Sequence, residues 1–426
     1  MTRLLRLTLI TAVALAAADS AIVVLALPQL LADFGRSIPS TAWVVTAYNL
    51  AAAVTGVIVV AAARFLRTRA LLIAGLAVFA GSTIGCAVST SLSMLVALRT
   101  VQGVGGALVL VGAFVELGPA AWAAAAAIGT AAGPALGGTL TQVFDWRAIF
   151  VAQAPVALAA IAAARRSEDV PLRSHGLGRA DATVAVALIS GALVGALFLA
   201  VVLLVEGHGF TPLGAAAMVT LLPAAALLVR RWFPRTPVAA GVLLLAAGLG
   251  LFALAPGSIA ANVPALIACG AGLGACLPQT SEDAGISGVA SRHAGVVLGL
   301  LLLAPILSDD LSHNADRAET KGIVTVLRAP VPLLDKIPLS INLYRELRKA
   351  GHGKLPDFTS AFASARRDDP GSAPKFDALE ASLQQVQRDA ISKSFERPFA
   401  VAAILALLAL VPIAAGRALA AARPSP

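Results

Sequence analysis

The sequence predicts an all-α membrane protein: twelve transmembrane helices in two six-helix pseudo-repeat halves, with an extracytoplasmic helical insert between the last two spans. Three observations carry this expectation. The 426 residues are 58% hydrophobic and only 13% charged, with a mean hydropathy of +0.86, which is far too apolar for soluble domains. Apolar runs of about 20 residues recur from end to end, each long enough to cross roughly 30 Å of hydrocarbon. Arginines cluster in the short stretches between those runs. A soluble α/β enzyme is excluded, and the formal charge of +9 with a pI near 10.2 reads as a topology signal, not as a nucleic-acid surface.

The expected spans are 7–31, 41–63, 70–88, 93–115, 120–141, 148–164, 182–205, 212–229, 237–255, 259–279, 286–308 and 398–416. The first also resembles a secretory signal peptide, with Arg3 and Arg6 ahead of the apolar stretch and Ala16-Ala17-Ala18 as a small-residue cleavage site. Its apolar run continues past Asp19 to Leu31, which favours a retained span.

With the N-terminus inside, fifteen arginines fall on inner loops and tails: Arg3, Arg6, Arg64, Arg67, Arg69, Arg165, Arg166, Arg173, Arg179, Arg230, Arg231, Arg235, Arg292, Arg417 and Arg423. Two, Arg36 and Arg147, fall outside. One span more or fewer would flip every later loop, so this asymmetry supports the count and places both termini in the cytoplasm of a multi-pass cell (inner or plasma) membrane protein. Trp43 and Trp146 sit at outer span ends and Trp122 and Trp232 at inner ends, positions where indole rings anchor in the headgroup layer. Cys86, Cys269 and Cys276 lie inside apolar runs at spacings that form no metal or disulfide pattern, and read as packing residues.

Residues 309–397 break the pattern, with 14 Lys/Arg, 13 Asp/Glu and all six lysines of the chain. This is the insert, outside by the span count, and without cysteine it must hold itself by packing. Leu379, Leu383, Val386 and Ala390 recur at helical spacing over 377–395, and a second helix over 340–349 has Ile341, Leu343, Tyr344 and Leu347 as its apolar side. Pro330, Pro332, Pro338, Pro356, Pro370 and Pro374 punctuate the connections. The expected organisation is an N-terminal six-helix half (1–164), a cytoplasmic linker (165–181), five spans of the second half (182–308), the insert (309–397), the last span (398–416) and a cytoplasmic tail (417–426). A weak repeat supports two halves: Arg64-Phe65-Leu66-Arg67-Thr68 after the second span is echoed by Arg231-Trp232-Phe233-Pro234-Arg235-Thr236 after the eighth.

Charge inside a span costs several kcal/mol unless paired or hydrated, so the few such residues are functional candidates. Asp19 lies about 18 Å along the first helix from Leu7 at 1.5 Å per residue, where desolvation favours a carboxyl that exchanges a proton for a cation. Arg99 sits about two turns into the fourth span beside Gln102 and Gly103, either lining the cavity and holding an acidic group or snorkelling to the outer headgroups. Asn49, Gln153 and Glu206 are weaker cavity candidates, and Glu116 reads as a solvated span end. In the fifth span Gly129, Gly133, Gly137 and Gly138 permit close helix approach, while Pro134 frees a carbonyl and bends the span.

These residues resemble the major facilitator superfamily, in particular its drug:proton antiporters. The run from Gly129 to Gly138 matches the antiporter motif (glycine, three residues, Gly-Pro, two residues, Gly-Gly) at every fixed position. Leu95, Arg99, Gln102 and Gly103 are similar to the fourth-span motif associated with proton transfer. Asp19-Ser20 with Ala26-Leu27-Pro28, Trp43 and Tyr48, and the segment from Asp145 to Phe150 resemble the branch that usually has fourteen spans. The resemblance implies two lobes around a central cavity, rocker-type alternating access, and Asp19 and Arg99 as coupling sites. Three departures stand out. The inner loop after the second span lacks the family's acidic gate residue, which is Ala63 here, so the cytoplasmic gate loop of Arg64, Arg67 and Arg69 makes a charge lock between halves that is either weaker or built differently. The connection at 116–121 is short and lacks its usual basic residue, and two central spans of the fourteen are absent.

The expected function is secondary active transport: proton-coupled efflux of small amphipathic compounds, cationic or neutral. The alternatives are a lipid or lipid-like metabolite transporter using the outer insert, or a non-transporting receptor or scaffold of the same fold that meets an extracytoplasmic partner through 309–397. No enzyme is expected, since no nucleophile-base pair, metal-ligand cluster or phosphate loop stands out and the insert's His313 and His352 lack companions. Protons, substrate and membrane lipids are the expected partners; no cofactor, metal or nucleic acid is.

Overall fold

The structure, a computed structural model, describes residues 3–172, 178–350 and 358–421. Its helices are α1 (Arg3–Val24), α2 (Leu27–Phe34), α3 (Ile38–Ala61), α4 (Thr68–Ala87), α5 (Leu92–Leu117), α6 (Pro119–Val143), α7 (Arg147–Ala164), α8 (Ala180–Val202), α9 (Pro212–Val219), α10 (Leu221–Trp232), α11 (Val238–Leu254), α12 (Ile259–Ala284), α13 (Ser287–Arg328), α14 (Leu333–Ala350), α15 (Thr359–Asp368), α16 (Ala373–Lys393), α17 (Glu396–Leu408) and α18 (Leu410–Ala421). Among the described residues the β-bonding is one isolated bridge, Arg67 with Pro171. Ten helical segments there are long and apolar enough to cross a membrane, and α11 is a shorter apolar helix. Helix α6, 25 residues long, contains no Asp, Glu, Lys or Arg.

Local chemistry sets where these helices start and stop. Ser37, Ser91, Thr211 and Ser258 accept a backbone N–H in the first turns of α3, α5, α9 and α12, satisfying one of the donors a helix start leaves orphaned. Gly118 and Gly285, at φ 76 and 54, take the left-handed conformations that separate α5 from α6 and α12 from α13. The first run is not one helix to Leu31. It tightens after Val24, where Leu25 and Ala26 donate to Ile22 and Val23 carbonyls, and Pro28, without an N–H, restarts the chain in the first turn of α2.

Helices α1 and α3 to α7 pack on one another, as do α8 to α13 with α17; the two groups meet where α3 lies along α13, α6 along α9, and α1 along α8. Helix α13 does not end at Ser308. It runs 42 residues, about 63 Å at 1.5 Å per residue, so the expected boundary between span and insert falls inside a continuous helix. Beyond it α14, α15 and α16 build their own hydrophobic cluster with Val326, Val331, Leu339, Leu343, Phe362, Phe376, Leu379 and Leu383. At its base Arg397 Nη1 donates to Asp310 Oδ1 at 3.1 Å and Asn314 Nδ2 to Ser394 Oγ at 2.9 Å.

Several expectations are corrected. Trp146 is fully buried and donates from Nε1 to Asp33 Oδ2 at 2.9 Å, and Trp122 is buried and donates to the Leu110 carbonyl at 2.9 Å, so both are packing residues. Trp43 and Trp232 are exposed, as a headgroup anchor requires. In α14 the buried pair is Leu339 and Leu343, while Ile341 and Tyr344 are exposed; the helix begins at Leu333, with Pro338 inside it. Pro374 likewise lies in the first turn of α16 rather than in a connection. The Leu347 side chain, Arg173, His352, Pro356 and Arg423 lie outside what is described.

Candidate functional site

Asp19 of α1 and Arg99 of α5 are fully buried and paired, Arg99 Nη1 donating to Asp19 Oδ2. The snorkelling alternative for Arg99 is therefore wrong: its guanidinium turns inward. Nε donates to the Val44 carbonyl at 3.0 Å and Nη1 to Gln102 Oε1 at 2.6 Å, and the group stacks over the Tyr48 ring at 4.4 Å. Gln102 then donates from Nε2 to Thr83 Oγ1 at 2.7 Å and to Gln153 Oε1 at 3.3 Å. A guanidinium buried in an apolar bundle needs its donors occupied, and α1, α3 and α5 supply the partners. Asp19 Oδ1, Arg99 Nη2 and Gln153 Nε2 are buried without a hydrogen-bond partner, leaving one acceptor and two donors around the pair.

Asn49 of α3 connects this pair to the other helix group. Its Nδ2 donates to the Val45 carbonyl at 2.8 Å, and its Oδ1 accepts from Ser20 Oγ at 3.2 Å and lies 2.7 Å from His293 Nδ1 of α13. Tyr48 anchors the same region, its hydroxyl donating to the Ala16 carbonyl at 3.2 Å and its ring meeting His293 edge-on at 6.0 Å. Sequence reading passed over His293, although a histidine inside the apolar run 286–308 was the available signal. It also put Arg292 on an inner loop. Arg292 belongs to α13 and donates from Nη2 to Thr130 Oγ1 of α6 at 2.8 Å, so neighbouring residues of α13 reach two different helices of the first group.

The glycine motif lies along two seams. A Cβ at Gly129 would overlap the Ala14 carbonyl, one at Gly133 would lie 2.9 Å from Ala21 Cβ, and one at Gly137 2.5 Å from the Ile22 carbonyl, so α6 approaches α1 backbone to backbone. Gly138 instead faces Pro212 and Ala216 of α9 in the other group, and Pro134 is buried in α6. Glu206 does not join the buried network: it is exposed on the π-helical turn Leu203–Gly207 that continues α8.

The arginines after α3 are bound within the first helix group. Arg67 donates to Asp169 Oδ2 at 2.6 Å, Arg69 donates twice to the Ser167 carbonyl, and Arg64 lies over the Phe65 ring. The Thr68 hydroxyl donates to the Glu168 carbonyl, and Glu116 Oε1 lies 3.4 Å from it. Cys86, Cys269 and Cys276 are buried free thiols.

Comparison with known proteins agrees with this architecture. The chain is 33% identical over 150 residues to the multidrug resistance protein Stp of Mycobacterium tuberculosis, covering 32% of this chain and 28% of that one. It is 31% identical over 162 residues to the tetracenomycin C resistance and export protein of Streptomyces glaucescens (35% and 30% covered), and 31% over 202 residues to the methylenomycin A resistance protein of Bacillus subtilis (42% and 43%). These matches take in between about a quarter and two fifths of the relatives' own length. Among solved structures, a bacterial homologue of the human lysosomal transporter Spinster, inward-facing and unoccupied, aligns with a TM-score of 0.60 at 15% identity over 97% of this chain and 98% of that one. The xylose transporter XylE of E. coli aligns at 0.57 and 14% identity over 70% and 91%. At such identities the likeness concerns the fold alone. The Major Facilitator Superfamily model matches residues 9–304, through both helix groups and the seam that joins Asn49 to His293, and the chain belongs to that family of membrane transporters.

Proposed function

We propose that this transporter is a proton-coupled exporter of small amphipathic compounds, cationic or neutral, working by alternating access. The buried Asp19–Arg99 pair carries the proposal. A carboxylate shielded from water and neutralised by one guanidinium has two competitors for its charge, a proton and a cationic substrate, and its unpartnered Oδ1 is where either arrives. A cation from the inner side engages deprotonated Asp19, outward opening admits a proton, and the protonated carboxyl releases the cation and permits return. Gln102 holds Arg99 in place, and Asn49 and Gln153 complete the polar lining. Glycines 129, 133, 137 and 138 with Pro134 are the surfaces on which α6 moves against α1 and α9.

The topology of this proposal is twelve spans: the ten long apolar segments together with α6 and α11. Residues 1–164 and 182–308 with 398–416 form the halves, 165–181 and 417–426 are cytoplasmic, and 309–397 is extracytoplasmic. The Arg64, Arg67 and Arg69 turn is a cytoplasmic gate that braces the first half against itself, since Ala63 offers no carboxylate.

The test is purified protein in liposomes with an imposed pH gradient, recording proton movement as ethidium, tetraphenylphosphonium or a neutral drug is added. Wild type releases protons on addition of substrate and Asp19→Asn does not. Unchanged substrate gradients in Asp19→Asn would overturn the assignment. A lipid-like cargo is the second reading, favoured by the exposed row Leu334, Ile337, Ile341 and Tyr344 on α14. Deleting 309–393 should then abolish lipid movement and spare that of small cations.

A further inference from the structure

His293 has a defined tautomer and an unused lone pair. The Asn49 amide is oriented by its Nδ2 donation to the Val45 carbonyl, so the atom facing His293 is Oδ1, an acceptor that also receives Ser20 Oγ. His293 Nδ1 must therefore carry the proton and donate at 2.7 Å. The other ring nitrogen, Nε2, is then a bare acceptor, and it is buried without a partner in a residue only 3% exposed. An imidazole acceptor left unpaired in an apolar seam is unfavourable, and native interiors rarely keep one without use.

We propose that His293 Nε2 is the second half's binding site for a hydrogen-bond donor of the substrate, an N–H or O–H group, opposite the charge site at Asp19. This rests on the transport reading above and adds a selection rule. Asp19 reads charge, and His293 reads the presence of a donor. Because Nδ1 is tied through Asn49 to Ser20, beside Asp19, a substrate that engages both sites bridges the helix groups through residues already joined across the seam.

The experiment compares two lipophilic cations, ethidium, whose aromatic amino groups carry N–H donors, and tetraphenylphosphonium, which has none. Binding of each is measured by titration calorimetry on purified wild type, His293→Asn and His293→Gln in nanodiscs. Asparagine keeps a donor near the Nδ1 position and removes the acceptor, whereas glutamine places an amide oxygen near Nε2. Ethidium affinity should fall about tenfold in His293→Asn, the equivalent of about 1.4 kcal/mol, and recover to within about threefold in His293→Gln. Tetraphenylphosphonium affinity should be the same in all three. Equal losses for both cations, or undiminished ethidium binding to His293→Asn, overturn the assignment while leaving cation transport standing. Wild type that binds neither cation overturns the cation reading itself. On wild type alone, ¹⁵N-histidine NMR should show one bare ring nitrogen shifting on addition of ethidium and not of tetraphenylphosphonium. Its failure to shift overturns the assignment even where a variant does not fold.

Discussion

Arg67, on the turn after α3, and Asp169, on the segment after α7, are joined at 2.6 Å across 102 residues of sequence. The same turn is sewn to that segment by backbone bonds from Thr68 N to the Val170 carbonyl and from Leu172 N to the Leu66 carbonyl. The turn, which has Ala63 and no carboxylate ahead of its arginines, is thus braced within one helix group. Asp169→Asn should raise hydrogen exchange at the Thr68 and Leu172 amides and leave α3 unchanged. The pair is solvent-exposed, so the change stays local and shrinks at high salt.

The same pair has a pH signature. The hydrogen bond from Arg67 holds the Asp169 carboxyl below its ordinary range. A carboxylate depressed in the folded state stabilises above its unfolded pKa, about 3.9 for Asp, and that contribution is lost as pH falls through the lower folded value. Protection of the Thr68 amide should be flat from neutral pH to about pH 4 and decline only below it. Loss of protection between pH 7 and 5 would show that some other group controls the turn.

Breaking the buried pair should be asymmetric. Arginine cannot shed its proton, whereas an aspartate left alone can take one up. Asp19→Asn strands a charged guanidinium and should cost about 3–5 kcal/mol in reversible detergent unfolding. Arg99→Gln should cost less, since the group it leaves behind is a carboxyl and not a permanently charged guanidinium. The double variant should recover much of the loss while remaining uncoupled. Equal penalties for the two single variants would mean that the stranded charge does not set the cost.

How much of this was legible beforehand depends on what each residue's signal was. Asp19, Arg99 and Gln102 announced themselves because charge and amide groups are rare in apolar runs, and their meeting needed only the bundle. Trp146 and Trp122 sit at helix ends in sequence, but end position does not say whether a ring faces lipid or a neighbouring helix, and here each has a buried partner. Helix α14 is apolar on two sides, so periodicity alone could not choose between Leu339 with Leu343 and Ile341 with Tyr344. Arg292 was counted as topology because inner-end arginines usually are; its bond to Thr130 is a tertiary fact. Glu206 is apolar-flanked yet exposed, on the π turn that continues α8.

The α6 seam predicts which glycines tolerate a methyl group. Gly129→Ala would drive Cβ into the Ala14 carbonyl, a backbone atom that cannot swing away, and should cost about 1–3 kcal/mol as α1 and α6 are forced apart. Gly81→Ala in α4 meets nothing within 4 Å and should be neutral or stabilising by up to about 1 kcal/mol. Thermal unfolding of both variants in one detergent decides the matter, and equal shifts would rule out a tight seam.

The α14 to α16 cluster should fail separately from the helices around Asp19 and Arg99. Phe362 and Phe376 are fully buried in a cluster that shares no residue with the clusters around α1 to α13's inner part, and α15 is tied to α16 by Arg366 with Asp377 and Glu380 at 2.7 and 2.8 Å. Removing an aromatic side chain from such a small core costs about 3–5 kcal/mol, a large fraction of what so few helices can hold. Phe376→Ala should therefore open 329–393 to protease at temperatures where wild type resists. The Asp19–Arg99 core lies in different packing and should keep its melting temperature, as expected for distant sites without shared partners. A variant whose Asp19–Arg99 region melts together with the α14 to α16 cluster would show that α13 transmits the loss along its length, making the two regions one cooperative unit.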